Sequence, residues 1–185
     1  MLKQFLKSIE QFGSFSEADQ KLITEQLKPI NLEKGTFILE QGRTCQSAYF
    51  VNKGSLRHYR DLDGYSEVTI NLFIENNWVL DHTSFTSQSK STNNIQAYED
   101  CELLELSMQS MHELVALSPA FFRLGKILEP PRNEEKLQLK TPEERYIDLM
   151  NEKPELIQRF PLKHIASYLG MTPETLSRVR AKVKF

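Results

Sequence analysis

The sequence is poor in the residues from which disulfides and metal sites are made. Its only two cysteines, Cys45 and Cys101, lie far apart and outside any Cys-x-x-Cys spacing. They therefore predict neither a disulfide framework nor a zinc or iron–sulfur site. The four histidines are equally scattered: His58, His82, His112 and His164. We expect no metal site, because metal ligands usually occur at short, defined spacings.

Long apolar runs are also missing. No stretch approaches the length of a membrane span, and the first residues, MLKQFLKSIEQF, alternate charged and apolar groups instead of forming a signal-peptide core. We therefore expect a cytoplasmic protein with no membrane partner. A chain of 185 residues with 39% apolar residues is an ordinary globular composition, long enough for one domain or two small ones.

Catalytic patterns are missing as well. The spacings bring together no Ser/His/Asp set, no Cys/His set and no carboxylate pair, and phosphate-loop motifs do not occur. We expect no catalytic residues, and we do not expect an enzyme.

The C-terminal stretch from Pro161 carries the most informative pattern. Two short helical segments flank the turn Gly170-Met171-Thr172, and in the second segment Leu176, Val179 and Val183 form an apolar stripe at helical spacing. Thr172 is a good N-cap, and the proline that follows it suits the first helical position. Two helices around a short glycine-containing turn predict a helix-turn-helix; the alternative is an ordinary helical hairpin.

Charge separates this stretch from the rest of the chain. Residues 158–185 contain six lysines and arginines against one acid, Glu174, whereas the whole chain has a net charge of −2. A basic tip on an otherwise acidic protein indicates a polyanionic partner for the tip.

The remaining sequence changes between helical and strand-like patterns along the chain. Two amphipathic helices over residues 1–28 precede seven short strand-like runs, separated by turns such as Lys34-Gly35 and Asp63-Gly64. The runs are residues 30–32, 37–39, 48–51, 56–59, 68–73, 95–98 and 103–106. Helical periodicity returns at Met108, Pro130-Pro131 interrupts it, and Thr141-Pro142-Glu143-Glu144 begins another helix.

The predicted fold class is therefore α+β. An N-terminal antiparallel β-roll of the jelly-roll type, flanked by helices, is followed by a small all-α domain containing the helix-turn-helix. We place the roll at residues 1–115, a helix and connector at 116–140 and the helix-turn-helix domain at 141–185.

Three stretches of this sequence resemble the Crp/Fnr family of bacterial transcription regulators. They are the glycine-turn strands at residues 34–42 and 48–57, and Thr172-Pro-Glu-Thr-Leu-Ser-Arg178, which is similar to the family's recognition-helix motif. The resemblance implies a roll like a cyclic-nucleotide-binding domain, a DNA-binding helix-turn-helix and a homodimer. Double-stranded DNA is then the main partner, and RNA polymerase is a further partner that the resemblance allows.

A recognition helix presents its first turns to base edges in the major groove. We predict that Glu174, Ser177 and Arg178 read bases, although Glu174 and Arg178 could instead form only a surface ion pair. Pro173 departs from the family's arginine at this position and cannot bond a base. The predicted phosphate contacts are Lys163, His164, Thr172, Thr175, Arg180 and Lys182.

The roll lacks the residues that hold a cyclic nucleotide in this family. Alignment places Asp81, Ser91 and Thr92 at ligand-binding positions, but no arginine is there to neutralise a phosphate. We therefore expect no cAMP site. Residues 76–94 either line a pocket for another small-molecule effector or form a surface loop.

The resemblance also implies a dimer seam on the helix after the roll, formed by Phe121, Leu124 and Leu128. The leading hypothesis is a dimeric DNA-binding regulator with a sensor roll of unknown effector. The alternative is a cytosolic sensor or protein-interaction module without specific DNA binding.

Overall fold

The computed structural model describes residues 2–129 and 139–183. They divide into two compact units, of which the first comprises residues 2–58 and 73–129 and the second comprises residues 59–72 and 139–183. The division differs from the predicted boundaries in two respects. Residues 59–72 belong with the C-terminal helices, and residues 116–129 belong with the first unit.

The first half of the chain begins with two helices and continues as strands. The helices are α1 (Leu2–Glu10) and α2 (Glu17–Gln26). The strands are β1 (Lys28–Leu32), β2 (Phe37–Leu39), β3 (Ser47–Lys53), β4 (Leu56–Asp61), β5 (Glu67–Phe73), β6 (Trp78–Val79), β7 (Asn94–Ala97) and β8 (Cys101–Ser107). Helix α3 (His82–Ser87) lies between β6 and β7, and α4 (Met108–Leu117) follows β8.

The strands form two four-stranded sheets, with the orders β1-β8-β3-β6 and β2-β7-β4-β5. In the first sheet β8 is central and pairs antiparallel with both neighbours, Ile30 opposite Leu103 and Phe50 opposite Leu104. Buried and partly exposed side chains nearly alternate along β8, as expected for a strand with one face on a core. The predicted antiparallel roll is confirmed, with β6 as a strand that the sequence did not predict.

The core of the first unit is apolar and rich in aromatic rings. Phe5 of α1 packs edge-on against Phe50 of β3 at 5.8 Å and against Trp78 of β6 at 5.7 Å between ring centroids. Such pairs add about 0.5–1.5 kcal/mol to the contribution of area burial. Helix α1 is therefore fixed on the roll by its predicted apolar face.

Helix starts follow local sequence signals closely. Ser16 and Asp19 form a capping box at α2, with both reciprocal hydrogen bonds present. After α4, residues Pro119–Leu128 form a 3-10 helix, not a continuation of the α-helix, and Glu129 is its C-cap. The predicted proline interruption and most of the predicted connector, residues 130–138, lie outside the described residues.

Between residues 140 and 183 the second unit has four helices. They are α5 (Pro142–Glu152), α6 (Pro154–Arg159), α7 (Leu162–Tyr168) and α8 (Pro173–Lys182). Thr141 and Glu144 form the predicted capping box at α5. Residues 59–72 contact these helices through a hydrogen bond, in which the backbone N–H of Thr69 donates to Ser167 Oγ of α7 at 2.8 Å.

Candidate nucleic-acid interface

The turn between α7 and α8 is fixed by backbone hydrogen bonds. The N–H of Met171 donates to the carbonyl of Ala166 at 2.9 Å, and the N–H of Gly170 donates to the carbonyl of Ser167 at 3.0 Å. This is a Schellman termination, which needs a left-handed residue. Gly170 supplies it with φ of 65°. The glycine in the predicted turn is therefore required by geometry.

Helix α8 begins as the sequence predicts. The Thr172 side chain accepts a hydrogen bond from the N–H of Thr175 at 3.2 Å, and Pro173 occupies the first helical position. Leu176 and Val179 are buried and Val183 is partly buried, so the predicted apolar stripe faces the interior of the unit.

Arg145 of α5 holds the same turn from outside. Its Nη1 donates to the carbonyl oxygens of Leu169 at 3.0 Å and Gly170 at 3.4 Å, and its Nε donates to the carbonyl of Lys140 at 3.0 Å. A planar guanidinium can donate in several fixed directions at once. Arg145 thus ties α5 to the turn that orients α8, a role that the sequence did not predict.

The three predicted base-reading residues share the exposed face of α8. Glu174, Ser177 and Arg178 are all exposed, opposite the buried stripe. Arg178 Nη2 donates to Thr175 Oγ1 at 3.3 Å, which directs the guanidinium along the first turns of the helix. A guanidinium and a carboxylate on one exposed face offer a donor and an acceptor to base edges.

The Glu174 side chain is ionised and can accept hydrogen bonds. Its own backbone N–H, the Thr172 hydroxyl and the nearby charge of Arg178 lower the pKa of its carboxyl group, against a smaller effect of burial. The side chain is therefore a carboxylate at neutral pH and accepts hydrogen bonds only.

Most of the predicted phosphate contacts lie on the surface. Lys163, Thr172, Arg180 and Lys182 are exposed and Thr175 is partly exposed. Lys182 Nζ lies 3.2 Å from Glu143 Oε1 of α5, so this cation already has an acidic neighbour.

His164 differs from the other predicted phosphate contacts. Only 8% of its surface is exposed, because it lies on the inner face of α7 between buried neighbours. The structure does not support a phosphate contact through its ring, so this part of the prediction is corrected.

In the roll, two of the three predicted pocket residues meet in the interior. Asp81 and Ser91 are 3% and 4% exposed, and the Ser91 hydroxyl donates to Asp81 Oδ2 at 2.8 Å. Asn93 Nδ2 donates to the same oxygen at 2.8 Å, and the N–H of Ser84 donates to Oδ1 at 2.9 Å. Thr92 is exposed and belongs to the surface.

His58 of β4 completes this group, which we call the Asp81 cluster (His58, Asp81, Ser84, Ser91 and Asn93). Its Nε2 lies 3.5 Å from Asp81 Oδ2. Burial raises the pKa of Asp81, but His58 and the three hydrogen bonds outweigh it and hold the pKa well below its usual range. Residues 81 and 91 are thus neither surface loop nor open pocket, but members of a packed polar cluster.

Two of the three predicted dimer-seam residues point inward. Phe121 and Leu124 are 1% and 3% exposed in the core of the first unit, together with Ile127, while Leu128 is partly buried against that core. A spacing of three residues matches a 3-10 helix, in which side chains at i and i+3 are aligned. Phe121 and Leu124 therefore form part of the protomer's own core, which corrects their assignment to the seam.

Among residues 2–129 and 139–183, no group of three or more His, Cys, Asp or Glu side chains is arranged to hold a metal ion. No helix in the same ranges is both long enough and apolar enough to cross a membrane.

Comparison with known proteins agrees with this geometry. Residues 29–118 match the family model of the cyclic nucleotide-binding domain. FixK2 from Bradyrhizobium japonicum is similar with a TM-score of 0.66 and 18% identity, over 85% of this chain and 84% of that one. The chain has the fold of the Crp/Fnr transcription regulators.

Other regulators of this fold are similar over nearly the whole length. The Thermus thermophilus catabolite activator protein has a TM-score of 0.59 and 22% identity, over 95% of this chain and 86% of that one. CLP of Xanthomonas campestris, described as responsive to c-di-GMP, has a TM-score of 0.65 and 18% identity, over 91% of each chain. Among curated proteins no sequence matches.

Proposed function

We propose that this Crp/Fnr-type chain is a DNA-binding transcription regulator that acts as a homodimer. The observation that carries the proposal is the exposed face of α8. Glu174, Ser177 and Arg178 are presented together, while the other face of the helix is buried and its start is capped. This is the arrangement that direct readout in the major groove requires.

Each residue has a separate role in the proposal. Arg178 donates to guanine O6 and N7, Glu174 accepts from cytosine N4, and Ser177 contacts a base at close range. Lys163, Arg180 and Lys182 contact phosphates and so position the helix without selecting a sequence. Because Pro173 offers no polar atom to a base, the sequence preference is set by fewer side chains.

A homodimer lets two copies of α8 read a site with two-fold symmetry. Since Phe121 and Leu124 are buried within the protomer, we expect the seam to use exposed side chains of α4 and of the 3-10 helix. Leu117 and Phe122 are 61% and 69% exposed, and exposed apolar groups of this size suit a protein interface. We assign the seam to these two residues. Because the proposed partner is DNA, we also propose that the protein is cytoplasmic.

Selection of bound DNA from a random pool, at two salt concentrations, tests this proposal. We expect enrichment of a half-site repeated with two-fold symmetry, with at least about a thousandfold preference over random DNA. The preference should survive at the higher salt concentration even though the affinity falls. Absence of enrichment would favour a sensor or protein-interaction module without specific DNA binding.

A further inference from the structure

The Asp81 cluster has the construction of an anion-binding site. Polar groups from three separate segments surround one carboxylate. They are the ring of His58 from β4, the backbone N–H of Ser84 from α3, and the side chains of residues 91 and 93 before β7, and all but the His58 ring donate to it. The three donors lie 2.8–2.9 Å from an Asp81 oxygen. Burial of so many donors is favourable only if an acceptor meets them.

His58 gives an independent indication of an anion at this point. Its side chain is 9% exposed, and it stacks on Phe73 at 6.5 Å between ring centroids. Its Nε2 has no hydrogen-bond partner among the described residues and lies 3.5 Å from Asp81 Oδ2. A buried polar atom without a hydrogen-bond partner is rare in folded proteins, and this one faces the carboxylate.

We propose that Asp81 is an internal anion that fills a built anion-binding site of the roll. The carboxylate takes the place that a small external carboxylate or a phosphate group would take, and it keeps the donors in the arrangement of an occupied site. This inference rests on the proposed function. It means that the roll supports DNA binding without a small anionic effector. Removal of the side-chain carboxylate should open the site to a free anion.

Chemical rescue of Asp81→Ala by sodium formate tests the site directly. The midpoint of thermal unfolding, Tm, is measured with increasing formate and with sodium chloride at equal ionic strength, because salt also screens surface charges. Asp63→Ala is the matched control. The Asp63 carboxylate also accepts two backbone N–H groups, at 2.9 and 2.7 Å, but it is exposed in a turn.

We expect Asp81→Ala to have a lower Tm than the native protein in chloride. Formate at ten times its dissociation constant should raise that Tm by roughly 3–6 °C, since a ligand bound only to the folded state stabilises it. The native protein and Asp63→Ala should show no such rise. An equal response to formate in all three proteins, or no response in Asp81→Ala, would overturn the proposal.

A second variant covers the case in which Asp81→Ala does not fold in either salt. Asp81→Asn keeps the shape of the side chain but places an amide N–H₂ against the donors. It should lower Tm by several degrees more than Asp63→Asn does, because the lost acceptor is buried. Equal losses in the two asparagine variants would contradict an internal anion.

DNA binding separates this inference from the proposed function. With a selected DNA site, the native protein should bind equally well with and without added formate, phosphate or cAMP. Dependence on one of these anions would overturn the internal-anion proposal, while the regulator proposal would stand. If the native protein binds no DNA specifically but formate still rescues Asp81→Ala, the regulator proposal alone fails.

Discussion

The interior of the roll and the outer face of α8 use similar polar side chains in opposite ways. In the Asp81 cluster a carboxylate is 3% exposed and receives three hydrogen bonds from its own chain. On α8 the carboxylate of Glu174 and the guanidinium of Arg178 are exposed to solvent. The first group stabilises the fold, whereas the second is available to a partner. Substitutions should therefore change stability in one region and binding in the other.

The largest expected effect is on the stability of the roll. Because the pKa of Asp81 is lower in the folded state than its unfolded value of about 3.9, its contribution to stability is present above that pH. It is lost progressively as the pH falls through the unfolded value toward the lower folded one. At pH 7 we expect Asp81→Asn to reduce the free energy of unfolding by about 3 kcal/mol.

Urea unfolding of the native protein and Asp81→Asn between pH 3 and pH 7 measures this difference. The two stability curves should converge on acidification, because the native carboxylate becomes protonated while the amide does not titrate. A constant difference across the whole range would mean that charge is not what the cluster requires.

The next effect concerns binding and not stability. Arg178→Ala should weaken binding to a selected DNA site by about 1–3 kcal/mol and relax the preference at one base pair. Arg180→Ala is the matched control, since it removes an exposed arginine of the same helix. It should weaken binding to all DNA sequences alike. Equal losses of sequence preference in the two variants would refute the assignment of Arg178 as a base reader.

Arg145 connects stability with binding, because it bonds the turn that orients α8. Arg145→Lys retains the charge but loses the fork of donors, and should cost roughly 1–2 kcal/mol of stability. Well below Tm, where the variant is folded, the ratio of specific to non-specific DNA affinity should still fall. An unchanged ratio would show that Arg145 stabilises the unit without positioning the helix.

The sequence predicted those parts of the fold that depend on neighbouring residues. The helix start at Thr141 and the cap at Thr172 were predicted and are confirmed, because each is a contact across three residues. Strand β6 was missed, since the two residues Trp78–Val79 are too few to show alternation. The segment Pro119–Leu128 was predicted only as helical, because residues three positions apart are neighbours on one face of both an α-helix and a 3-10 helix.

Contacts between distant residues gave no sequence signal. His58 lies 23 positions before Asp81, and Arg145 lies 24 positions before Leu169, so no motif spacing joins the members of either contact. The resemblance to ligand-binding positions did draw attention to Asp81 and Ser91. Only the folded chain shows that the two side chains bond each other in the interior. The buried spacing of Phe121, Leu124 and Ile127 did offer a signal, at intervals of three residues.

A smaller effect is expected at the start of α8. Thr172→Ala removes the acceptor for the N–H of Thr175 and should destabilise the second unit by about 1 kcal/mol. Thr172→Ser keeps the hydroxyl and should restore most of that stability, as measured by thermal unfolding followed by circular dichroism. If serine is as damaging as alanine, the methyl group and not the cap is what the site needs.

The smallest effect separates the two possible partners of Lys182. Its ion pair with Glu143 is on the surface, with 71% and 38% of the two side chains exposed, and such a pair contributes about 0–1 kcal/mol. Lys182→Gln should therefore change Tm little. It should reduce the slope of log affinity against log salt concentration by about one, the amount expected for the loss of one phosphate contact. Glu143→Gln leaves the lysine in place and removes its competitor, so it should strengthen binding to all DNA. If Glu143→Gln weakened DNA binding instead, the ion pair would be what holds α8 in position. Lys182 would then have a structural role, like the Asp81 cluster, and would not be a phosphate contact.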